Sequence, residues 1–300
     1  MPCLRHLNRY SQLDRPVLWL DKQLSKDKTQ IMIPAERQKT ILNLLNDEEV
    51  LSINALTEAL QVSHMTIRRD IAKLEQEGKV KSVSGGIQLT EVLLTEPSHA
   101  LKMNQDRQEK AEIGRFCAGL IHDCSTIYLD AGTTTLEIAR QLKGRDDLVI
   151  VTNDFAIAVY LAENTTCSLY HTGGKVDPAN QSCIGPKATA MLNNFNIDIA
   201  FISTSSWNLK GISTPYEDKV PVKRAVSEAA RLVYLVSDSS KYGKVATFHA
   251  LGLEQFDKVI TDYKLSDACV SELTEKGIDV VVAARPKVVL SARAEQTLHA

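Results

Sequence analysis

The sequence predicts an α/β fold in two parts: a small N-terminal domain of helices and a hairpin, and a larger domain with an open, mainly parallel sheet. Two observations lead to this division. Apolar residues recur at helical spacing from Pro34 onward, and two short strand-like runs follow around Gly85 and Gly86. From Ser125, short apolar strands alternate with helical stretches, an order typical of parallel sheets covered by helices.

Three helices are predicted in the N-terminal domain. AERQKTILNLLN is amphipathic and begins at Pro34, Ser52 caps the short segment INALTEAL, and residues 61–62 turn the chain into a third helix. That helix starts at Ser63 and is ended by Gly78. KVKSV then predicts a strand, Ser-Gly-Gly a tight turn and IQL a returning strand. Two helices, a turn, a third helix and a hairpin make a winged helix-turn-helix.

The third helix separates an apolar face from a basic one. Met65, Ile67, Ile71 and Leu74 recur at spacings that place them largely on one side. Basic and polar residues occupy the other faces and continue into the hairpin, which suits insertion into the major groove of a double-stranded DNA operator with a wing on the backbone. The residues expected to contact DNA are Ser63, His64, Thr66, Arg68, Arg69, Lys73, Lys79 and Lys81.

The positive charge of this region is local. The whole chain has a formal net charge of −2, and residues 31–90 contain seven Lys/Arg against eight Asp/Glu. Because electrostatic attraction falls off within about 8 Å at physiological salt, one basic face is enough to bind a duplex. The alternative is that Arg68 and Arg69 are solvated helix charges paired with Asp70 or Glu75, and that His64 is exposed and inessential.

The remaining composition excludes several classes of protein. The six cysteines are scattered, with no C-x-x-C pair and no His cluster beside them, which argues against a structural zinc site or a disulfide framework. No apolar run reaches about 18 residues, so a spanning helix is not expected. We expect a cytoplasmic protein with no metal, no cofactor and no membrane partner.

The pattern divides the chain into five segments. Residues 1–31 are interpreted as an N-terminal extension, or alternatively as a basic arm that grips phosphates, since residues 1–30 carry six Lys/Arg against three Asp. Residues 32–90 form the winged domain, and residues 91–104 a loose, polar linker that becomes helical from about Gln105. Residues 105–285 form the α/β domain, and residues 286–300 a tail.

Polar residues lie where the predicted parallel strands end, which is where ligands bind in open α/β sheets. Gly lets the chain turn tightly, and free N–H groups at a helix start attract an anion. A phosphorylated polyol therefore fits better than a dinucleotide, because no G-x-G-x-x-G or Walker lysine pattern occurs. Each piece alone is also compatible with a helix cap or a solvated turn. The candidates are Asp130, Gly132, Thr133, Thr134, Thr135, Asn153, Gly173, Gly174, Asp238 and Lys241.

The N-terminal motifs resemble those of one family. S-x-x-T-I-R-R-D, then L-x-x-x-G and a basic wing, behind E-R-Q-x-x-I-L, is similar to the DeoR family of bacterial transcription regulators. D-x-G-[ST]-T-T, T-N, G-G and D-S-S-K recur in order in that family's sensor domain, which is similar to ribose-5-phosphate isomerase. The resemblance covers residues 32 to about 265.

The resemblance implies roles for individual residues. Residues 132–135 would hold phosphate with help from Lys241, Asp130 and Asn153 would read hydroxyls, and Lys223 would lie on a helix facing the pocket. One departure is the run Ser203-Thr204-Ser205-Ser206-Trp207, where the family typically has a Gly-Ala-rich strand end. We expect these hydroxyls and the indole to change the shape and polarity of the pocket.

The predicted function is that of a transcription regulator, not an enzyme. We expect a homo-oligomeric repressor of a sugar or sugar-acid catabolic operon, released by a phosphorylated sugar or sugar-acid effector that shifts the helix at residues 105–121. The alternative is a sugar-phosphate isomerase-like enzyme with an accessory N-terminal domain. Its possible acid and base groups are Asp130, Glu217, Asp238 and Lys241.

Overall fold

The computed structural model describes residues 32–48, 50–83 and 85–284. The predictions for residues 1–31 and for the tail at 286–300 lie outside these residues. The N-terminal domain contains three helices followed by an antiparallel hairpin: α1 (Pro34–Asp47), α2 (Ile53–Leu60), α3 (His64–Gln76), β1 (Val80–Val83) and β2 (Gly86–Leu89). The predicted winged helix-turn-helix is confirmed.

The ends of these helices follow from local chemistry. The hydroxyls of Ser52 and Ser63 accept the backbone N–H groups of the third residue on, so each caps its helix. Gln61 adopts a left-handed conformation that turns the chain between α2 and α3. Gly78 follows α3 at φ +72°, a conformation that glycine adopts at low cost and that ends the helix.

The core of the N-terminal domain is apolar except for one buried ion pair. Ile41, Leu56 and Ile67 are fully buried between the helices. Met65, which was placed on the apolar face of α3, is 60% exposed. It precedes Ile67 by two residues, and because an α-helix turns about 100° per residue, its side chain points away from the face that buries Ile67 and Ile71. The buried carboxylate of Asp70 on α3 bonds two side chains of α1, those of Arg37 and Gln38.

The linker is structured. It contains β3 (Glu91–Leu93) and α4 (His99–Asn104), so helix appears before Gln105, where it was expected to begin. Ser98 caps α4 by accepting the Leu101 N–H, and the His99 N–H bonds the carbonyl of Ala179 in the larger domain. The segment is therefore attached to its neighbours along much of its length.

The larger domain alternates strands and helices as the sequence predicts. Its elements in chain order are α5 (Arg107–Ala118), β4 (Thr126–Leu129), α6 (Thr133–Arg140), β5 (Val149–Thr152), α7 (Phe155–Asn164), β6 (Ser168–His171), β7 (Lys175–Asp177), β8 (Ser182–Ile184), α8 (Pro186–Leu192), β9 (Ile197–Ser203), β10 (Ser206–Asn208), β11 (Gly211–Thr214), α9 (Val220–Ala229), β12 (Ala230–Val236), β13 (Lys244–Ala246), β14 (Phe248–Leu251), β15 (Lys258–Thr261), α10 (Asp267–Glu275) and β16 (Val280–Val282).

Seven of these strands form one parallel sheet in the order β16-β15-β12-β9-β4-β5-β6. Apolar residues of α5, α6 and α7 pack on one face, and those of α8, α9 and α10 on the other. The open, mainly parallel α/β fold is confirmed. The short antiparallel strands β7, β8, β10, β11 and β14 were not predicted.

The two domains are in contact through the linker. Strand β3 pairs in parallel with β13, and Lys244 Nζ lies 2.7 Å from a carboxylate oxygen of Glu91. Lys210 Nζ also donates to the backbone carbonyl of Glu77 at 2.9 Å. Among the described residues, no helix has the length and apolar character needed to cross a membrane.

Candidate functional site

The basic face of α3, formed by Arg68, Arg69 and Lys73, is exposed. The acidic residues proposed as alternative partners are bound elsewhere: Asp70 faces α1, and Glu75 accepts the Ser82 hydroxyl at 2.5 Å. Across the part of the chain that the structure describes, neither Arg68 nor Arg69 makes an ion pair or side-chain hydrogen bond. Both guanidinium groups are therefore available to a ligand outside the protein.

The polar residues at the start of α3 differ in role and exposure: one caps the helix, and the others lie at or near the surface. The Ser63 hydroxyl lies 3.0 Å from that of Thr66 and accepts its N–H, so Ser63 serves first as a helix cap. Thr66 is half-buried, whereas His64 is exposed. Helix N-terminal residues of this type lie where a recognition helix meets DNA.

The two lysines of the hairpin have different surroundings. Lys79 is exposed and forms an ion pair of 2.7 Å with Glu77. Lys81 lies against Gly243 of the larger domain, so closely that a Cβ on that glycine would come within 2.2 Å of the Lys81 Cδ. Burial lowers the pKa of the Lys81 ammonium. Because its side chain faces the interface between the domains, the structure argues against the predicted DNA contact of Lys81.

In the larger domain, the loop from β4 into α6 presents polar groups at the edge of the sheet. Gly132 allows close approach, since a Cβ there would lie 2.5 Å from the Ser203 Oγ. The hydroxyls of Thr133 and Thr134 make no hydrogen bond to any described residue. Thr135 is different: it is fully buried, and its hydroxyl donates to the carbonyls of Asp130 and Gly132. These bonds indicate that Thr135 holds the loop in place rather than making the predicted contact with phosphate.

Asp130 is the centre of a buried network at the end of β4. Its Oδ2 lies 2.5 Å from Lys223 Nζ and accepts the Ser203 N–H at 3.2 Å. Tyr128 on the same strand reaches both Asp130 and Asn153, at 3.4 and 2.9 Å. Lys223 lies on α9, so the structure brings three of the predicted site residues together from three different elements.

A second group follows β12. Lys241 Nζ lies 3.3 Å from Asp238 Oδ1 and 2.8 Å from the Ser240 hydroxyl. Ser240 also donates to Asp106, the residue before α5. This loop therefore joins the site to the helix that was expected to carry the signal.

Four charged residues of the site were missed by the sequence analysis: Glu96, Lys102, Lys110 and Lys219. Lys110 is 2% exposed and donates to the carbonyls of Lys102 and Gln105 at 2.7 and 2.6 Å. Its pKa is lowered by burial. No carboxylate among the described residues lies within ion-pair distance of it. None of the four missed residues lies in a recognisable sequence motif, so no local signal in the sequence pointed to them.

These residues line two small adjoining cavities. The strand-end cavity, with a volume of about 30 Å³, is lined by Asp130, Asn153, Lys219 and Lys223 among others. The helix-end cavity, of about 20 Å³, is lined by Gly132, Thr133, Thr134, Lys102, Lys110, Asp238 and Lys241 among others. Glu96, Ala131 and residues 203–205 line both. Five lysines and three carboxylates thus line the pair, a surplus of two positive charges.

Several expected positions lie elsewhere. Gly173 and Gly174, at φ +62° and +108°, form a turn after β6 and line neither cavity. Trp207 is fully buried and packs edge-on against Tyr242, so the indole does not shape the cavities as expected. In the run of residues 203–207, by contrast, Ser203, Thr204 and Ser205 line both cavities. Glu217, a possible acid or base of the enzyme alternative, is exposed and lines neither.

Comparison with known proteins identifies the family. Residues 37–92 match the DeoR-like helix-turn-helix domain, and residues 105–263 match the DeoR C terminal sensor domain. The chain belongs to the DeoR family. An uncharacterised HTH-type transcriptional regulator of Haemophilus influenzae is 52% identical over 83% of this chain and 97% of its own length. The uncharacterised HTH-type transcriptional regulator YgbI of Escherichia coli is 50% identical over 84% and 99%.

A third relative, the transcriptional repressor AccR of Agrobacterium fabrum, is 34% identical over 76% of this chain and 89% of its own length. The family matches and the names of these relatives make this DeoR-family protein a DNA-binding transcription regulator, not an enzyme. The isomerase-like alternative is therefore wrong.

Proposed function

We propose that this DeoR-family regulator represses a sugar or sugar-acid catabolic operon and is released from its operator by a phosphorylated sugar-type metabolite. The observation that carries the effector class is the surplus of positive charge in the paired cavities beside the start of α6. A phosphate monoester carries about −1.5 to −2 at pH 7, which matches that surplus. Repression is supported by the name of the relative AccR.

The phosphate is assigned to the helix-end cavity. Free N–H groups at a helix start attract an anion, and α6 adds the unbonded hydroxyls of Thr133 and Thr134. Lys110 is the best placed cation, because its only acceptors among the described residues are backbone carbonyls. Asp130 and Asn153 in the strand-end cavity are assigned to the hydroxyls of the sugar.

Two connections lead from this cavity toward the DNA-binding domain. The loop with Ser240 bonds Asp106 at the start of α5 at 3.0 Å. The chain after Lys241 continues through Gly243, beside Lys81, into β13, which pairs with β3 of the linker. A shift of this loop would move the linker and the hairpin together. Paired winged domains of a cytoplasmic homo-oligomer would then no longer match half-sites about 34 Å or a multiple apart.

The experiment combines ligand screening with operator binding. Phosphorylated sugars and sugar acids are added to the full-length protein, and the melting temperature and operator affinity are measured. An effector is expected to raise the melting temperature, because it binds the native state, and to weaken operator binding. A panel that changes neither quantity would reject the proposal.

Lys110→Met tests where the phosphate binds. Loss of one charged hydrogen-bond donor is expected to weaken effector binding by about 1.5–3 kcal/mol. Lys143→Met, which removes an exposed lysine of the same domain, serves as the control and should leave binding unchanged. Equal affinities for both variants would place the phosphate elsewhere.

A further inference from the structure

Glu96 occupies an unusual position for a linker residue. It lies three residues after β3, yet its side chain is 9% exposed and reaches into the sensor domain. One carboxylate oxygen lies 2.5 Å from Lys102 Nζ and the other 2.5 Å from Lys219 Nζ. Two buried ammonium groups, one on each oxygen, form the kind of site that binds a carboxylate.

The two lysines have weaker ties to the rest of the protein. Lys102 Nζ also donates to Asn180 Oδ1 at 2.7 Å, and Lys219 Nζ lies 3.5 Å from Asp177. Removing Glu96 would leave Lys102 buried with no carboxylate partner among the described residues. Breaking a buried ion pair by withdrawing one partner is strongly unfavourable, so Glu96 should leave only when another anion replaces it.

Glu96 also lies where the two cavities adjoin, since it lines both together with Ala131 and residues 203–205. Volumes of about 30 and 20 Å³ hold a water molecule or two, not a phosphorylated sugar, so a ligand must displace side chains. Protonation does not release Glu96 at neutral pH. Burial alone would raise its pKa, but Lys219 and Lys102 together lower it to about 2.

We propose that Lys102 and Lys219 form a carboxylate subsite that Glu96 fills from within the chain, and that the effector is a phosphorylated sugar acid whose carboxylate displaces Glu96. This inference rests on the proposed function and narrows its ligand class. Charge supports it: without Glu96, five lysines face two carboxylates, a surplus that matches one phosphate plus one carboxylate. Displacement also frees the linker beside β3, which couples binding to the DNA-binding domain.

The test uses ligand pairs that differ only in the carboxylate. Full-length protein is titrated with 6-phosphogluconate and glucitol 6-phosphate, and with 4-phosphoerythronate and erythritol 4-phosphate. The wild type should prefer the acid of at least one pair. Glu96→Gln keeps the size of the side chain but removes its charge, so affinity for the acid should rise about tenfold, a size common for coupled sites, while that for the polyol phosphate stays unchanged. Glu91→Gln, in the same linker and bonded to Lys244 at the surface, is the control.

Two further measurements separate this role from a structural one. Lys219→Met should abolish the preference for the acid, and if that variant fails to fold, the two-ligand comparison in Glu96→Gln still decides. Amide hydrogen exchange of residues 94–98 should become faster with the acid and not with the polyol phosphate. Equal binding of acid and polyol phosphate, or an equal change for both in Glu96→Gln, would overturn the subsite. If no phosphorylated compound binds the wild type, the proposed function itself fails.

Discussion

The basic face of α3 and the paired cavities both gather positive charge, but they do so in opposite ways. Arg68 and Arg69 are exposed and have no internal partner among the described residues, so water solvates them until a polyanion arrives. Lys102 and Lys223 are buried, and each is held by a carboxylate of the protein. A surface that meets DNA can leave its cations unpaired, whereas a buried site must supply counter-charges of its own.

The same contrast between buried and exposed charges occurs within α3 itself. The largest effect that we expect is a loss of stability when its buried charge is removed. Asp70 follows the two arginines in sequence but faces α1, where it bonds Arg37, which is 7% exposed. Asp70→Ala leaves a buried guanidinium without its carboxylate and is expected to destabilise the winged domain by about 3–5 kcal/mol. Urea unfolding followed by circular dichroism measures the change.

Controls for this prediction come from the same domain. Glu58→Ala removes an exposed acid of α2 and should change the free energy of unfolding by less than about 0.5 kcal/mol. The double variant Arg37→Met with Asp70→Leu should recover part of the loss, because a buried pair can often be exchanged for apolar groups. A single Asp70→Ala variant as stable as Glu58→Ala would show that the pair contributes little.

Substitutions on the opposite side of α3 should weaken DNA binding without changing the free energy of unfolding. Arg69→Ala is expected to weaken operator binding by about 1–3 kcal/mol if the guanidinium reads a base, with a loss confined to that operator. If it contacts a phosphate, the loss should appear on all sequences and the salt slope should fall by about one. Fluorescence anisotropy at several salt concentrations separates the two cases.

Lys39→Ala, which removes an exposed cation of α1, is the matched control for charge. Lys81→Ala is the informative comparison, because this lysine faces Gly243 and should leave the salt slope unchanged. An unchanged affinity and footprint for both Arg68→Ala and Arg69→Ala would remove the assignment of this face to DNA.

The sequence predicted the helices and hairpin of the winged domain and the seven strands of the parallel sheet, because each of these elements is encoded locally. Helical spacing, the caps at Ser52 and Ser63, and Gly78 determine the winged domain within about fifty residues. The strand ends at Asp130 and Asn153 were readable for the same reason: a polar residue directly follows an apolar strand.

The sequence did not show in which direction a side chain points or which other side chains lie around it. Lys102, Lys110 and Lys219 reach the cavities from α4, α5 and the turn before α9, and only the folded chain brings them together. Trp207 was misplaced because a polar run next to a strand end looks like a pocket wall, although Trp207 lies in the next strand, β10, where it is buried against Tyr242. The sequence also could not show that Lys81 lies against Gly243 of the larger domain, so its DNA contact stays a prediction.

The last prediction concerns two acids, Asp154 of the sensor domain and Glu96 of the linker, whose pKa values shift in opposite directions. Burial raises the pKa of Asp154 from 3.8 to about 6, while its carboxylate accepts the N–H groups of Gly132 and Ile157 at 3.2 and 2.9 Å. The lysines lower that of Glu96 from 4.5 to about 2. The Glu96 contribution to stability is therefore present above pH 4.5 and lost as the pH falls toward 2.

For Asp154 the sign is reversed. Because folding raises its pKa, protonation stabilises the folded protein, and this contribution is fully present below about pH 4 and is lost as the pH rises through 6. The asparagine of Asp154→Asn cannot ionise. The free energy of unfolding of the wild type minus that of this variant therefore isolates the contribution of the Asp154 carboxyl. The difference in free energy of unfolding should favour the wild type increasingly between pH 7 and 4.5, by no more than about 1 kcal/mol per pH unit. A difference that is flat, or that grows with rising pH, would mean that Asp154 is solvated or paired in the folded protein, and that the contrast between buried acids beside one cavity does not hold.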